Sequence, residues 1–136
     1  MSKLDHHAAL IYAMVTVSAA DSNMTDSELR TIGDIVRQLP IFVDFNEDDL
    51  PKIAETCAAL LGGDDGFETV LTIITEALPT KLRETAYALA CDVAAADLDV
   101  VESEITVLQQ LRWRLKIDRL TAAAIERGAR ARHQTV

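Results

Sequence analysis

One pattern, written twice, constrains this chain more than any other feature. Val17-Ser18-Ala19-Ala20-Asp21-Ser22-Asn23-Met24-Thr25-Asp26-Ser27-Glu28-Leu29 returns 76 positions later as Val93-Ala94-Ala95-Ala96-Asp97-Leu98-Asp99-Val100-Val101-Glu102-Ser103-Glu104-Ile105. The register pairs Asp21 with Asp97, Asn23 with Asp99, Asp26 with Glu102 and Glu28 with Glu104. Each copy sets four oxygen-bearing side chains between a run of small apolar residues and a helical pattern. Such a chain reads as two helix-loop-helix units with an acidic loop inside each.

The surrounding periodicity is helical throughout. A first helix is expected over about 4–20, with Leu4, Ala8, Ile11, Tyr12, Val15 and Ala19 on one buried face. His6 and His7 are adjacent on its first turn and point in different directions, so they make a poor chelating pair and read as surface residues. A second helix over about 25–39 carries Leu29, Ile32, Ile35, Val36 and Leu39 and stops at Pro40. Residues 41–45 form a short apolar link, too brief and isolated for a sheet.

Asn46 caps a third helix whose first turn holds Glu47, Asp48 and Asp49, and Pro51 is tolerated that early. Ile53, Cys57, Leu60 and Leu61 face inward, and Gly62-Gly63 ends the element. Asp64-Asp65-Gly66 opens a fourth helix with Phe67, Val70, Leu71, Ile74 and Leu78, closed by Pro79. A fifth, over about 81–96, turns Leu82, Ala86, Leu89, Ala90 and Val93 inward. Ile105, Leu108, Leu111 and Leu115 mark the sixth, and Asp118 caps a seventh that reaches about Arg130. Tyr87 and Trp113 read as core anchors. The expectation is a single all-α domain over residues 1–136, of about seven helices, with a loosely ordered tail from about 131 and a duplicated helix-loop-helix unit.

Composition narrows the function. The net charge of −9 opposes general nucleic-acid binding, which needs cations to displace phosphate counterions. Residues 112–136 nonetheless carry seven Lys or Arg against Asp118 and Glu126, a net +5, leaving −14 on the remainder. That basic C-terminal helix either presents a solvated face or docks on an acidic surface, its own body's or a partner's. Cys57 and Cys91 lack metal-ligand spacing and read as buried free thiols of a reduced compartment. With no signal peptide and no apolar run long enough to span a bilayer, the chain reads as cytoplasmic and without membrane insertion.

The acidic loops admit two chemistries. A hard cation takes several oxygen ligands at once. Asp21 and Asn23, or Asp97 and Asp99, can present oxygens from one turn. Glu28 or Glu104 can close the shell, and Asp26 or Glu102 can join directly or through water. Without His or Cys in the loops, Ca²⁺ is expected first and Mg²⁺ second, rather than zinc or copper. The loop is shorter than an EF-hand and lacks its central Gly. The alternative is plain helix capping. Asn23-x-x-Asp26 and Asp99-x-x-Glu102 resemble N-caps followed by an acid, and Thr25-x-x-Glu28 is a capping box. Capping does not account for Asp21 and Asp97 at the ends of the preceding helices, where the dipole repels carboxylates.

The helix ending in Ala-Asp, with an aliphatic residue three positions on and a Glu seven after the Asp, resembles the signature of the tellurite-resistance TerB family. It is carried by Ala20-Asp21, Met24 and Glu28, and again by Ala96-Asp97, Val100 and Glu104. The resemblance covers most of residues 4–117. It implies a small, all-helical, cytoplasmic, non-enzymatic protein with metal-binding acidic clusters. It also implies protein partners in tellurite resistance and stress response, often in membrane-associated complexes, and function at Asp21, Glu28, Asp97 and Glu104. The family's usual Asp-Gly is Asp21-Ser22 and Asp97-Leu98 here, and Leu98 resists the left-handed backbone that Gly accepts. Charge count favours the second loop as the tighter site, and Leu98 opposes it.

Three functions are therefore carried forward. The first is a non-catalytic divalent-cation-binding module acting through protein partners. The second is a plain protein-interaction domain with merely capped loops. The third is a carboxylate-based hydrolase, weakened by the lack of a nucleophile motif, a phosphate loop or a His beside the acids.

Overall fold

A computed structural model describes residues 5–20, 24–96 and 102–136. Among them are seven α-helices and no strand: α1 His6–Ser18, α2 Asp26–Gln38, α3 Leu50–Leu61, α4 Gly66–Ala77, α5 Arg83–Ala96, α6 Glu102–Arg114 and α7 Arg119–Arg132. Short 3₁₀ turns at Pro40–Phe42, Glu47–Asp49 and Thr80–Leu82 lead into or out of them. The all-α domain expected from the periodicity is what the chain forms. α6 begins and ends 76 positions after α2, although α5 starts and stops at slightly different offsets from α1.

α1 is the axis of the molecule. Every residue from Ala8 to Ser18 is buried, and α2, α3, α4, α5 and α6 all pack on it. The expected single buried face is therefore wrong for α1. A helix apolar all round belongs inside a ring of others, and Ala-Ala-Leu-Ile-Tyr-Ala-Met-Val-Thr-Val is apolar all round. The Thr16 hydroxyl within that run is satisfied locally, its Oγ1 donating to the Tyr12 carbonyl at 2.7 Å. Asp5 caps the helix by accepting from the Ala8 N–H at 2.8 Å.

His7 is not a surface residue. Its Nε2 donates to the Ile41 carbonyl at 2.7 Å, and its ring lies against Phe42 and Phe45. The histidine thus fastens the start of α1 to the turn that follows α2.

Gly62 closes α3, donating its N–H to the Ala58 carbonyl at 3.1 Å. Asp65 adopts a left-handed φ of 51°, and Gly66 then starts α4 so close to α3 that a Cβ there would lie 2.4 Å from the Leu60 and Leu61 carbonyl oxygens. Only glycine fits at position 66.

α7 packs on α5. The buried Tyr87 donates its hydroxyl to Glu126 Oε2 at 2.6 Å, and Arg132 pairs with Asp92 at 2.6 Å. Tyr87 is thus the core anchor expected. Trp113 is not: it is 76% exposed. α6 turns Glu104, Val107 and Leu111 inward, with Leu115 buried just beyond its end. That face puts Trp113 on the outside, and it leaves Ile105, expected to face the core, largely exposed as well.

Candidate functional site

The acidic residues expected to act together divide into two groups. Asp21, Asn23, Asp97 and Asp99 lie outside the described residues. Asp26, Glu28, Glu102 and Glu104 are described, and all four sit in first helical turns, two on α2 and two on α6. Free N–H groups and the positive end of the helix dipole face these positions, which favours carboxylates.

At α2 the local chemistry is a complete capping box. Thr25 is the N-cap, its Oγ1 accepting from the Glu28 N–H at 3.2 Å. Glu28 Oε1 accepts in return from the Thr25 N–H at 2.9 Å and from the Thr25 hydroxyl at 3.0 Å. The cap is Thr25 rather than Asn23. Asp26, the first helical residue, is exposed. At α6 the pattern differs. Glu102 is exposed, whereas Glu104 is buried with 4% of its surface accessible. Burying a carboxylate is costly unless polar partners answer it, so its position here is a commitment by the fold.

Sequence reasoning missed how the two units meet. α1 and α6 pack together, and a cleft of about 410 Å³ opens between them, lined by Thr16, Ala19, Ala20, Phe67, Ser103 and Thr106 among others. Ala20 immediately precedes Asp21, and Ser103 stands between Glu102 and Glu104. The entry to the first acidic segment and the exit of the second therefore border one cleft. Residues 76 apart carry no local signal of this, because it follows from the packing of α1 against α6.

The donor set fits a hard cation in kind, since every side chain proposed is a carboxylate or an amide. Among the described residues no three His, Cys, Asp or Glu side chains come together as a metal site. A complete shell would thus need Asp21, Asn23, Asp97 or Asp99. Both cysteines are free and buried, and burial pushes each thiol up to about 12. Neither is a nucleophile near neutral pH.

The family model of tellurite resistance protein TerB matches residues 7–127. The chain belongs to the TerB family. The match runs from the first turn of α1 into α7 and includes both acidic segments of this TerB domain. No curated protein and no solved structure matches the chain. Among the described residues no helix is long and apolar enough to cross a membrane.

Proposed function

We propose that this TerB domain is a non-catalytic module that binds a divalent cation, Ca²⁺ ahead of Mg²⁺. It acts through protein partners in tellurite resistance and stress response, in the cytoplasm. The observation that carries the reading is the shared cleft. The end of the helix that precedes Asp21 and the helix turn that carries Glu102 and Glu104 border it together, which supports a reading in which both acidic segments serve one region. Acids brought close together would repel one another unless a cation neutralised them. Asp21, Asn23, Asp26 and Glu28 would serve the first site, and Asp97, Asp99, Glu102 and Glu104 the second. The cation would supply charge neutralisation and a link between loop and helix. Two unreactive thiols and oxygen-only loops speak against catalysis.

Calorimetric titration of chelator-stripped protein with Ca²⁺ and then Mg²⁺ tests this, beside the double variant Asp21→Asn, Asp97→Asn. Saturable binding is expected, lost in a variant that stays folded. Absence of heat from well-folded wild type would reduce both segments to helix caps.

A second reading has one specific observation behind it. The capping box of Thr25 and Glu28 gives the first segment a structural purpose without metal. The domain would then be a plain interaction module, capturing partners in a manner sensitive to salt and indifferent to chelator.

A further inference from the structure

Two exposed corners of the molecule are opposite in charge. At the first, α6 ends and α7 begins. Trp113 is 76% exposed and Leu120 is 82% exposed. Between them the chain turns through Lys116, which adopts a left-handed φ of 58°. The turn is closed by the Lys116 N–H donating to the Trp113 carbonyl and the Ile117 N–H to the Arg112 carbonyl, each at 3.1 Å. That closure normally takes glycine. Leu115 and Ile117 are buried on either side, so the turn is pinned and Lys116 is held outward. Arg119 adds a second exposed cation, with the exposed Asp118 between the two engaged in capping α7.

At the second corner, past the end of α2, Val43 is 81% exposed. Beside it lies a cleft of about 450 Å³, walled by Leu39, Pro40, Phe42 and Phe45 and by the ion-paired Arg37 and Glu47. Four exposed acids follow closely in sequence: Asp44, Glu47, Asp48 and Asp49. The Glu47–Asp49 turn packs on α2 and α3, whereas α6 and α7 pack chiefly on α1, α4 and α5. One chain therefore offers an aromatic knob among cations and a part-apolar cleft beside a run of acids, on different elements.

We infer that these corners are the two halves of a head-to-tail contact between copies of this chain. Trp113 of one copy seats in the Val36–Phe45 cleft of the next, with Lys116 and Arg119 facing Asp44, Asp48 and Asp49. Tryptophan on a cationic rim is the composition of an interface anchor. Copies of net charge −9 repel at long range, but screening confines that repulsion to about 8–10 Å near physiological ionic strength. The contacting pairs keep their attraction. The contact joins unlike surfaces, so it builds rings or filaments rather than two-fold dimers. It stands on different residues from the cation reading and does not depend on it.

Sedimentation velocity of the full chain over a range of concentrations, in about 0.1 M salt, tests this. The average mass is expected to rise with concentration. Trp113 is the sole tryptophan, so its emission should shift to the blue in step. Trp113→Ser and Val43→Glu change exposed side chains and should melt as wild type does. Each alone should self-associate at least about tenfold more weakly. Mixed together they should form 1:1 dimers and nothing larger, because one supplies the intact cleft and the other the intact tryptophan. Wild type that stays monomeric throughout overturns the proposal. So does a mixture no larger than its components while wild type assembles, which would mean that the contact is not Trp113 seated in the cleft. Monomeric wild type that co-floats with phosphatidylglycerol vesicles in a Trp113-dependent manner also overturns it and assigns the patch to lipid.

Discussion

The starts of α2 and α6 carry the same acids at the same spacing, and the fold uses them differently. Glu28 is half-buried and closes a box with Thr25. Glu104, its counterpart, is buried. The residue at the place of Thr25 is Val101, which has no oxygen with which to reciprocate. A valine side chain cannot complete a capping box, and on α6 Glu104 belongs to the inward face with Val107 and Leu111. Equal spacing of carboxylates thus fixes where acids stand along a helix, but their neighbours decide what they do.

The largest consequence concerns Glu104. Glu104→Ala removes a carboxylate from a buried site and strands the polar groups around it. It should cost about 2–4 kcal/mol in denaturant unfolding. Glu28→Ala should cost only about 1 kcal/mol, the worth of a cap. Equal losses would break the contrast between the two helix starts.

The second test separates the cation from the cap. Glu28→Gln keeps a capping-box residue and should leave stability within about 0.5 kcal/mol, while weakening Ca²⁺ binding at the first segment in calorimetry. Unchanged affinity would remove Glu28 from the ligand set. In the same assay Asp97→Asn should reduce total affinity more than Asp21→Asn, since the second segment holds four acids against three. The reverse order would mean that Leu98 governs the second loop.

The smallest effect is at α7, whose start is capped by a carboxylate rather than a hydroxyl. Asp118 accepts from the Thr121 N–H at 2.9 Å and from its hydroxyl at 2.8 Å, and these bonds hold its pKa below the usual aspartate value. A depressed folded pKa means that the contribution is present above the unfolded pKa and is lost as pH falls through the folded one. The protection of the Thr121 amide against exchange, measured relative to its intrinsic rate at each pH, should therefore fall in acid, below the ordinary aspartate range. Protection independent of pH would show that Asp118 is not the cap that matters.

Much of this architecture was legible from residues alone. Pro40, Gly62 and the cap at Asp118 mark helix ends where the chain has them, because backbone sterics and unpaired N–H groups act locally. The Thr25–Glu28 box was legible for the same reason. What the periodicity concealed was which helix lies in the middle. A stripe of Ala8, Ile11, Tyr12 and Val15 is equally visible on a surface helix and on one wrapped on every side. Trp113 misled through its size, since an apolar aromatic is expected inside until the helix face is known. His7 looked like a surface residue because its partner, the Ile41 carbonyl, comes from a distant turn. Of the site, sequence supplied the acids, and the α1–α6 packing supplied the common cleft.

The enclosure of α1 has a consequence for biosynthesis. The segment Ala8–Ser18 leaves the ribosome well before α5 and α6, which cover much of it and begin only at Arg83 and Glu102. An uninterrupted apolar stretch must wait, covered only in part by α2, α3 and α4, until α5 and α6 are made, because contacts distant in sequence cannot form earlier. Nascent chains arrested before Arg83 should bind holdase chaperones and be cut by protease within that stretch. Chains released at full length should resist both.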